Sequence, residues 1–334
     1  MTSSTIKKRD YLFDNYRTLL IFLVVAGHVI ETIYRNNWFL EGLKWIIYSF
    51  HVPAFVFISG YFSKKASTLK DLIRKLLVPY LVFEVLYYLL YTFVIHKETK
   101  LYLLHPKFTL WYLLALFFWK WITPYFKKIP GYFILSILTG VAIGFSSMKD
   151  NFLTIPRALV FYPYFLAGTT LERSVVTDMR NRKIGTVKLS VLFGILFVLA
   201  CVSIFFFMDK IPVSPQIFYG RYSYATMEQT PATGVLLRLL AYGIGFLITY
   251  GLLLIIPEKE SRTSVIGQRT MQIYLFHGLI YKAIAATGIV KAVDTALETV
   301  ILLLCIVLLT YFLAAKPFTR LLQILCFEKD ALRK

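Results

Sequence analysis

The feature that most constrains this chain is the recurrence, from one end to the other, of apolar runs about twenty residues long. Ten can be drawn, near 18–34, 39–62, 76–95, 108–126, 130–146, 155–172, 189–208, 233–256, 270–290 and 295–315. A helix of that length spans the hydrocarbon layer of a bilayer, and lipid tolerates only structures that satisfy their backbone internally. With 58% hydrophobic and 16% charged residues, the chain lies outside the range of water-soluble domains. The expected fold is therefore all-α and polytopic, a bundle of about ten transmembrane helices within one integral-membrane domain over 1–334. Residues 10–17 form an entry segment at the inner surface and 316–334 a cytoplasmic tail.

Basic residues set the orientation, because short cytoplasmic loops carry the excess of lysine and arginine. With the N-terminus inside, about 25 of the 37 basic residues fall on the inner side, from Lys7, Lys8, Arg9 and Arg17 to Lys329, Arg333 and Lys334. Both termini are thus expected in the cytoplasm, in a cell (plasma or inner) membrane. The net charge of +19 reads as topology and adhesion to anionic lipid, with no nucleic-acid partner, since the basic residues are scattered through short loops. The basic, apolar N-terminus has no small-residue cleavage site after it and reads as a retained first helix. Cys201, Cys305 and Cys326 show no metal spacing and read as packing residues. No soluble domain is expected, because the longest polar stretches, 173–188 and 209–232, are loop-sized.

Function is pointed to by ionisable residues inside the apolar runs, where each one demands a reason. Arg17 and His28 stand eleven residues apart in the first run, which on a helix is about three turns and a rise of about 16 Å. The two share a face, with Arg17 at the inner surface and His28 deep. His51 lies at a similar depth in the returning second run. A neutral imidazole there can take a proton from a hydroxyl or thiol, as acyl transfer requires; alternatively, each histidine simply satisfies a neighbour in the bundle.

Arg17 can hold a phosphate or carboxylate with its planar fork, or serve as a positive-inside anchor. Asp14 shares its face and either pairs with it or caps the helix. Glu84 either orients a histidine or neutralises a basic neighbour. His277, about two turns inside the ninth run, suits substrate contact and helix packing equally. Pro53, with Ser59 and Gly60, favours a kinked second helix with a close backbone approach. Arg157 and Arg238 are placed near outer ends, snorkelling to the headgroups.

FDNYRTLLIFLVVAGH followed by FHVPAFVFISGYFSKK resembles the opening of membrane acyltransferase family 3, and more closely its fucose 4-O-acetylase-like, polysaccharide O-acetyltransferase branch. The likeness continues in family order through LIRKLLVPYLVFE (72–84), TLWYLLALFFWKW (109–121), FYPYFLAGTTLE (161–172) and GQRTMQIYLFHG (267–278). The resemblance implies an integral membrane enzyme that moves an acyl group, usually acetyl, from cytosolic acyl-CoA (acetyl-CoA as donor substrate, no metal) to a hydroxyl of a sugar or envelope polysaccharide. It maps the family's arginine and essential histidine onto Arg17 and His28, and its second block onto His51, Pro53, Ser59 and Gly60. Many relatives carry an Arg-x-x-Arg pair after the second span where this chain offers Lys70, Arg74 and Lys75, the basic cluster expected to steady CoA phosphates with Arg17. An appended esterase-like domain, which some relatives carry, is not expected. The alternative is an exporter or flippase of polysaccharide, lipid-linked sugar or a small carboxylic acid, for which buried ionisable residues and a kinked helix are equally suited.

Overall fold

A computed structural model describes residues 9–34, 37–146, 148, 152–288 and 293–326. Lys7, Lys8, Lys329, Arg333 and Lys334, counted above toward topology, lie outside the described residues.

The chain is a helical bundle. Its helices are α1 (Tyr11–Ile30), α2 (Trp38–Tyr61), α3 (Leu69–Val94), α4 (Trp111–Phe126), α5 (Tyr132–Phe145), α6 (Ile155–Thr170), α7 (Arg173–Asn181), α8 (Leu189–Lys210), α9 (Pro231–Ile255), α10 (Ser264–Gln268), α11 (Thr270–Ala286), α12 (Ala296–Leu313) and α13 (Lys316–Leu325). A two-residue antiparallel hairpin, β1 (Lys183–Ile184) with β2 (Val187–Lys188), joins α7 to α8.

Local chemistry sets the starts. Asp10 accepts from the Leu12 amide at 3.2 Å and caps α1, Asn37 accepts from Leu40 at the head of α2, Thr230 precedes Pro231 at the head of α9, and Thr295 and Glu298 form a reciprocal box on α12. Asp14 is therefore not the cap of the first helix.

Each of the ten apolar runs contains a helix, but among the described residues six helices (α1, α2, α3, α8, α9 and α12) are long and apolar enough to cross a membrane. The others differ for a physical reason. α4 and α6 have 16 residues each and α11 has 17, which at 1.5 Å per residue is shorter than the roughly 30 Å hydrocarbon layer. α6 is buried along almost its whole length, from Val160 to Thr169, so protein rather than lipid surrounds it. α8 is the opposite case, with no buried side chain from Leu189 to Phe207, and its apolar surface is of the kind that faces lipid.

The core lies where α1, α2, α6 and α11 meet. α2 and α6 cross with backbones in contact. A Cβ on Gly60 would overlap the Phe165 carbonyl, and one on Gly168 the Phe57 carbonyl, so both glycines are required by the approach. Gly60 thus serves the close approach expected of it as a packing residue. Gly267 does the same for α10, which rests against the Asp14 carbonyl on α1.

At one end of the bundle the basic loops gather. Arg173 bridges Asp10 at 2.9 Å and Glu258 at 2.8 Å, Arg180 reaches Glu258 at 3.2 Å, and Asn15 donates to the carbonyls of Pro257 and Lys259. The start of α1, the 173–188 segment and the loop after α9 therefore share one face of the molecule, as the charge bias expects for the side assigned to the cytoplasm.

Candidate active site

Two cavities open inside the bundle, both against α1. The larger, about 400 Å³, is lined by His28 and Glu31 from α1, Tyr48, His51 and Phe55 from α2, Phe108 to Tyr112 around the start of α4, Arg157 and Phe161 from α6, Tyr274 from α11, and Phe218 to Tyr222 from the α8–α9 loop. The smaller, about 170 Å³, lies on the Arg17 side and is lined by Arg17, Phe55, Ser59, Ser63, Lys120 and Thr270 among others. Phe55 belongs to both. Beside it, the Ser59 hydroxyl of the smaller cavity meets the Tyr112 hydroxyl of the larger at 2.5 Å.

In the larger cavity, His28 Nδ1 lies 2.9 Å from His277 Nε2, and His277 Nδ1 lies 3.0 Å from the carbonyl oxygen of Ile273. A carbonyl can only accept. For two neutral rings, His277 must then carry its proton on Nδ1, its Nε2 must accept, and His28 must donate from Nδ1. The chain of partners leaves the Nε2 lone pair of His28 unused, on a half-buried side chain that lines the cavity. His277 is fully buried and lines neither cavity; it stands behind His28. His51 also lines the larger cavity, as its depth predicted, but its Nδ1 donates to the Ile47 carbonyl of its own helix at 2.7 Å and it is 2% exposed. Three of the five histidines thus converge here.

Arg17 is held by Asp14, whose other oxygen takes Arg9 at 2.6 Å and the Gln268 amide at 3.2 Å. Asp14 is 3% exposed, so this pairing fixes the guanidinium. Phe62 lies beneath it, 4.6 Å from ring centroid to guanidinium carbon, and its Nε is buried without a partner. With Lys120 and the hydroxyls of Ser59, Ser63 and Thr270, the smaller cavity is cationic and rich in donors, suited to an anion.

Several expectations are redirected. Lys70, Arg74 and Lys75 sit on the exposed first turns of α3 and line neither cavity; Lys120 provides the second cation beside Arg17. Glu84, fully buried, orients no histidine: Lys107 Nζ lies 2.7 Å from one oxygen and the Lys107 amide donates to the other at 3.0 Å. Arg157 and Arg238 do not snorkel. Arg157 is half-buried and faces the larger cavity over the Trp111 ring, and Arg238 is buried on α9. Hydropathy gives depth along a helix but not the face, and both arginines face inward. The sequence carried one sign of this for Arg157, an arginine one residue after Pro156 at the head of a run that is buried from Val160 to Thr169. Nothing in the sequence marks Arg221 or the tyrosines 48, 112, 219, 222 and 274 out from the chain's other basic and aromatic residues.

Among the described residues no group of three or more histidines, cysteines, aspartates and glutamates is placed to hold a metal ion. No disulfide joins Cys201, Cys305 and Cys326.

Residues 10–315 match the family model of acyltransferase 3, described as an acyltransferase domain. The chain belongs to that family. Its membership covers both cavities and every helix from α1 to α12. A shorter stretch is similar to the nodulation protein NolL of Sinorhizobium fredii, 45% identical over 62 residues, which is 18% of this chain and 17% of that protein. No solved structure matches.

Proposed function

We infer that this acyltransferase 3 member is a membrane-embedded O-acyltransferase that moves an acetyl or related acyl group from cytosolic acyl-CoA to a hydroxyl of a sugar or envelope polysaccharide, with His28 as the base. The observation that carries this reading is the Ile273–His277–His28 chain of hydrogen bonds. It holds His28 in the tautomer whose Nε2 lone pair is available in the larger cavity.

The donor's phosphates are assigned to Arg17 and Lys120, on the side where the basic loops gather, with both ends of the chain cytoplasmic. The pantetheine arm runs past Phe55 and brings the thioester about three helical turns inward, about 16 Å, to His28. The acceptor hydroxyl gives its proton to His28 Nε2 while its oxygen attacks the thioester carbon. The carbon–sulfur bond then breaks, and the protonated Nε2 returns the proton to the departing sulfur, yielding the ester and free CoA thiol. As His28 becomes cationic, the bond from its Nδ1–H to His277 strengthens, so His277 stabilises the charge where it develops. His51 stands as a second imidazole at the same cavity wall. Ser59 acts through Tyr112, Asp14 by fixing Arg17, and Glu84 by holding Lys107. A permeation path for an exported glycan has no need of a histidine held in one tautomer by a second histidine and a carbonyl.

The test is transfer of isotope-labelled acetate from acetyl-CoA to membrane glycans, released by mild base, in membranes containing wild type or His28→Ala at matched levels. Wild type is expected to label and His28→Ala to fall to background. Labelling by His28→Ala at the wild-type rate overturns the assignment.

A further inference from the structure

The larger cavity holds more positive charge than its own residues balance. Of the described residues that line it, Glu31 is the single acid, and it is already engaged by Lys44 Nζ at 3.3 Å and by the Tyr219 hydroxyl. Arg157 and Arg221 line the same space, and neither has an acidic partner among the described residues. Each stands near an aromatic ring: Arg157 is 4.8 Å from the Trp111 centroid, and Arg221 is 5.6 Å from that of Tyr222. A cation–aromatic contact leaves guanidinium N–H donors for a carboxylate or phosphate, which a guanidinium can take with two parallel bonds. Each guanidinium lies in the field of the other. Two like charges at one cavity repel, and an anion between them removes that repulsion.

The phosphates of the donor do not fill this role. A thioester at His28 leaves them a pantetheine arm away, at Arg17, whereas Arg157 shares the cavity with His28 itself. The charge therefore faces the other substrate. Resting on the acyl-transfer reading, we propose that the acceptor is an acidic glycan unit, whose carboxylate or phosphate is held by Arg157 and Arg221 while a hydroxyl of the same or the adjoining residue meets His28. Tyr222, half-buried at the same wall, supplies aromatic surface for the pyranose ring.

The experiment uses membranes of cells that make the full chain, supplied with deuterated acetyl-CoA, and identifies the labelled sugar by mass spectrometry. The expected product carries the deuterated ester on a residue bearing a carboxylate or phosphate or directly joined to one, and its mass tells the two anions apart. In the same membranes, Arg157→Gln is expected to raise the acceptor KM by about tenfold or more, the loss of one charge-assisted fork. The acyl-CoA KM should stay within about twofold. Arg157→Lys should restore part of the loss, because it keeps the charge without the fork. Arg221→Gln, at an exposed side chain, repeats the test where folding is not in question. A label on a neutral sugar with no acidic neighbour, or an acceptor KM unmoved in both glutamine variants, overturns this inference and leaves acyl transfer standing. Absence of any His28-dependent label overturns the acyl-transfer reading beneath it.

Discussion

Replacing His277 by leucine separates a catalytic hydrogen-bond chain from a packing histidine. In the folded protein His277 Nε2 is the acceptor for His28 Nδ1–H at 2.9 Å. Leucine fills most of the space but accepts nothing. The Ile273 carbonyl keeps its helical partner, the amide of residue 277, so the backbone is unaffected. What disappears is a bond that becomes charge-assisted only when His28 holds the acceptor's proton. Such bonds contribute about 1.5–3 kcal/mol, and at 1.36 kcal/mol per factor of ten this is a fall in kcat of about 10- to 150-fold. Because His277 lines neither cavity, both KM values should change little. His277→Gln offers an amide oxygen to the same N–H and should recover most of the rate. The assay is steady-state acetyl transfer by protein in lipid nanodiscs, with thermal midpoints to confirm folding and nitrogen-15 shifts of His28 to report which ring nitrogen is protonated. A folded His277→Leu within twofold of the wild-type kcat, or a loss carried entirely by KM, refutes the reasoning.

Three further outcomes follow from particular contacts. Lys107→Met strands the Glu84 carboxylate, fully enclosed and 2.7 Å from the lost ammonium, and should destabilise the fold by about 3–5 kcal/mol; thermal unfolding in detergent reads it, and Glu84→Gln in the same chain should return much of the loss. Gly168→Val drives a branched side chain into the Phe57 carbonyl and should part α2 from α6 at a cost of about 1–3 kcal/mol or more, seen as a lowered midpoint or poor membrane yield, whereas Gly185→Ala, with open space around it but a positive φ, should cost less. Asp14→Asn keeps the shape but frees Arg9 and Arg17, and should raise the acyl-CoA KM by about three- to tenfold while the acceptor KM stays put.

Helix positions were legible because a bilayer enforces them: an apolar run bounded by charges leaves little choice of structure, and all ten runs proved helical. Spanning length was less legible. α6 is apolar because it is enclosed by protein, and composition does not separate that from exposure to lipid. At the site, the depth of His28 and His51 and the shared face of Arg17 with Asp14 follow from helical geometry within one or two segments. The His28–His277 pair bridges 249 positions, and nothing in either segment indicates which histidine its neighbour will be. Arg157 was misplaced for a related reason, since a position near the end of a run reads as a headgroup anchor until the neighbouring helices close around it. Lys70, Arg74 and Lys75 stand where relatives carry an Arg-x-x-Arg pair, and the fold turns them outward.

The position of Phe55 has a consequence for the cell rather than for the reaction. A bilayer that stores an ion gradient must not contain a continuous polar passage, yet this protein places two cavities against one helix, one cationic beside Arg17 and one around His28. Phe55 lines both, and the Ser59–Tyr112 hydroxyl pair reaches from one to the other. On the proposed acyl-transfer route, the donor's arm fills the space it opens beside Phe55. A smaller residue at that position would leave the gap unfilled each time the arm withdrew, and the resulting harm would show as a dissipated proton gradient even in a variant that had lost no catalytic group.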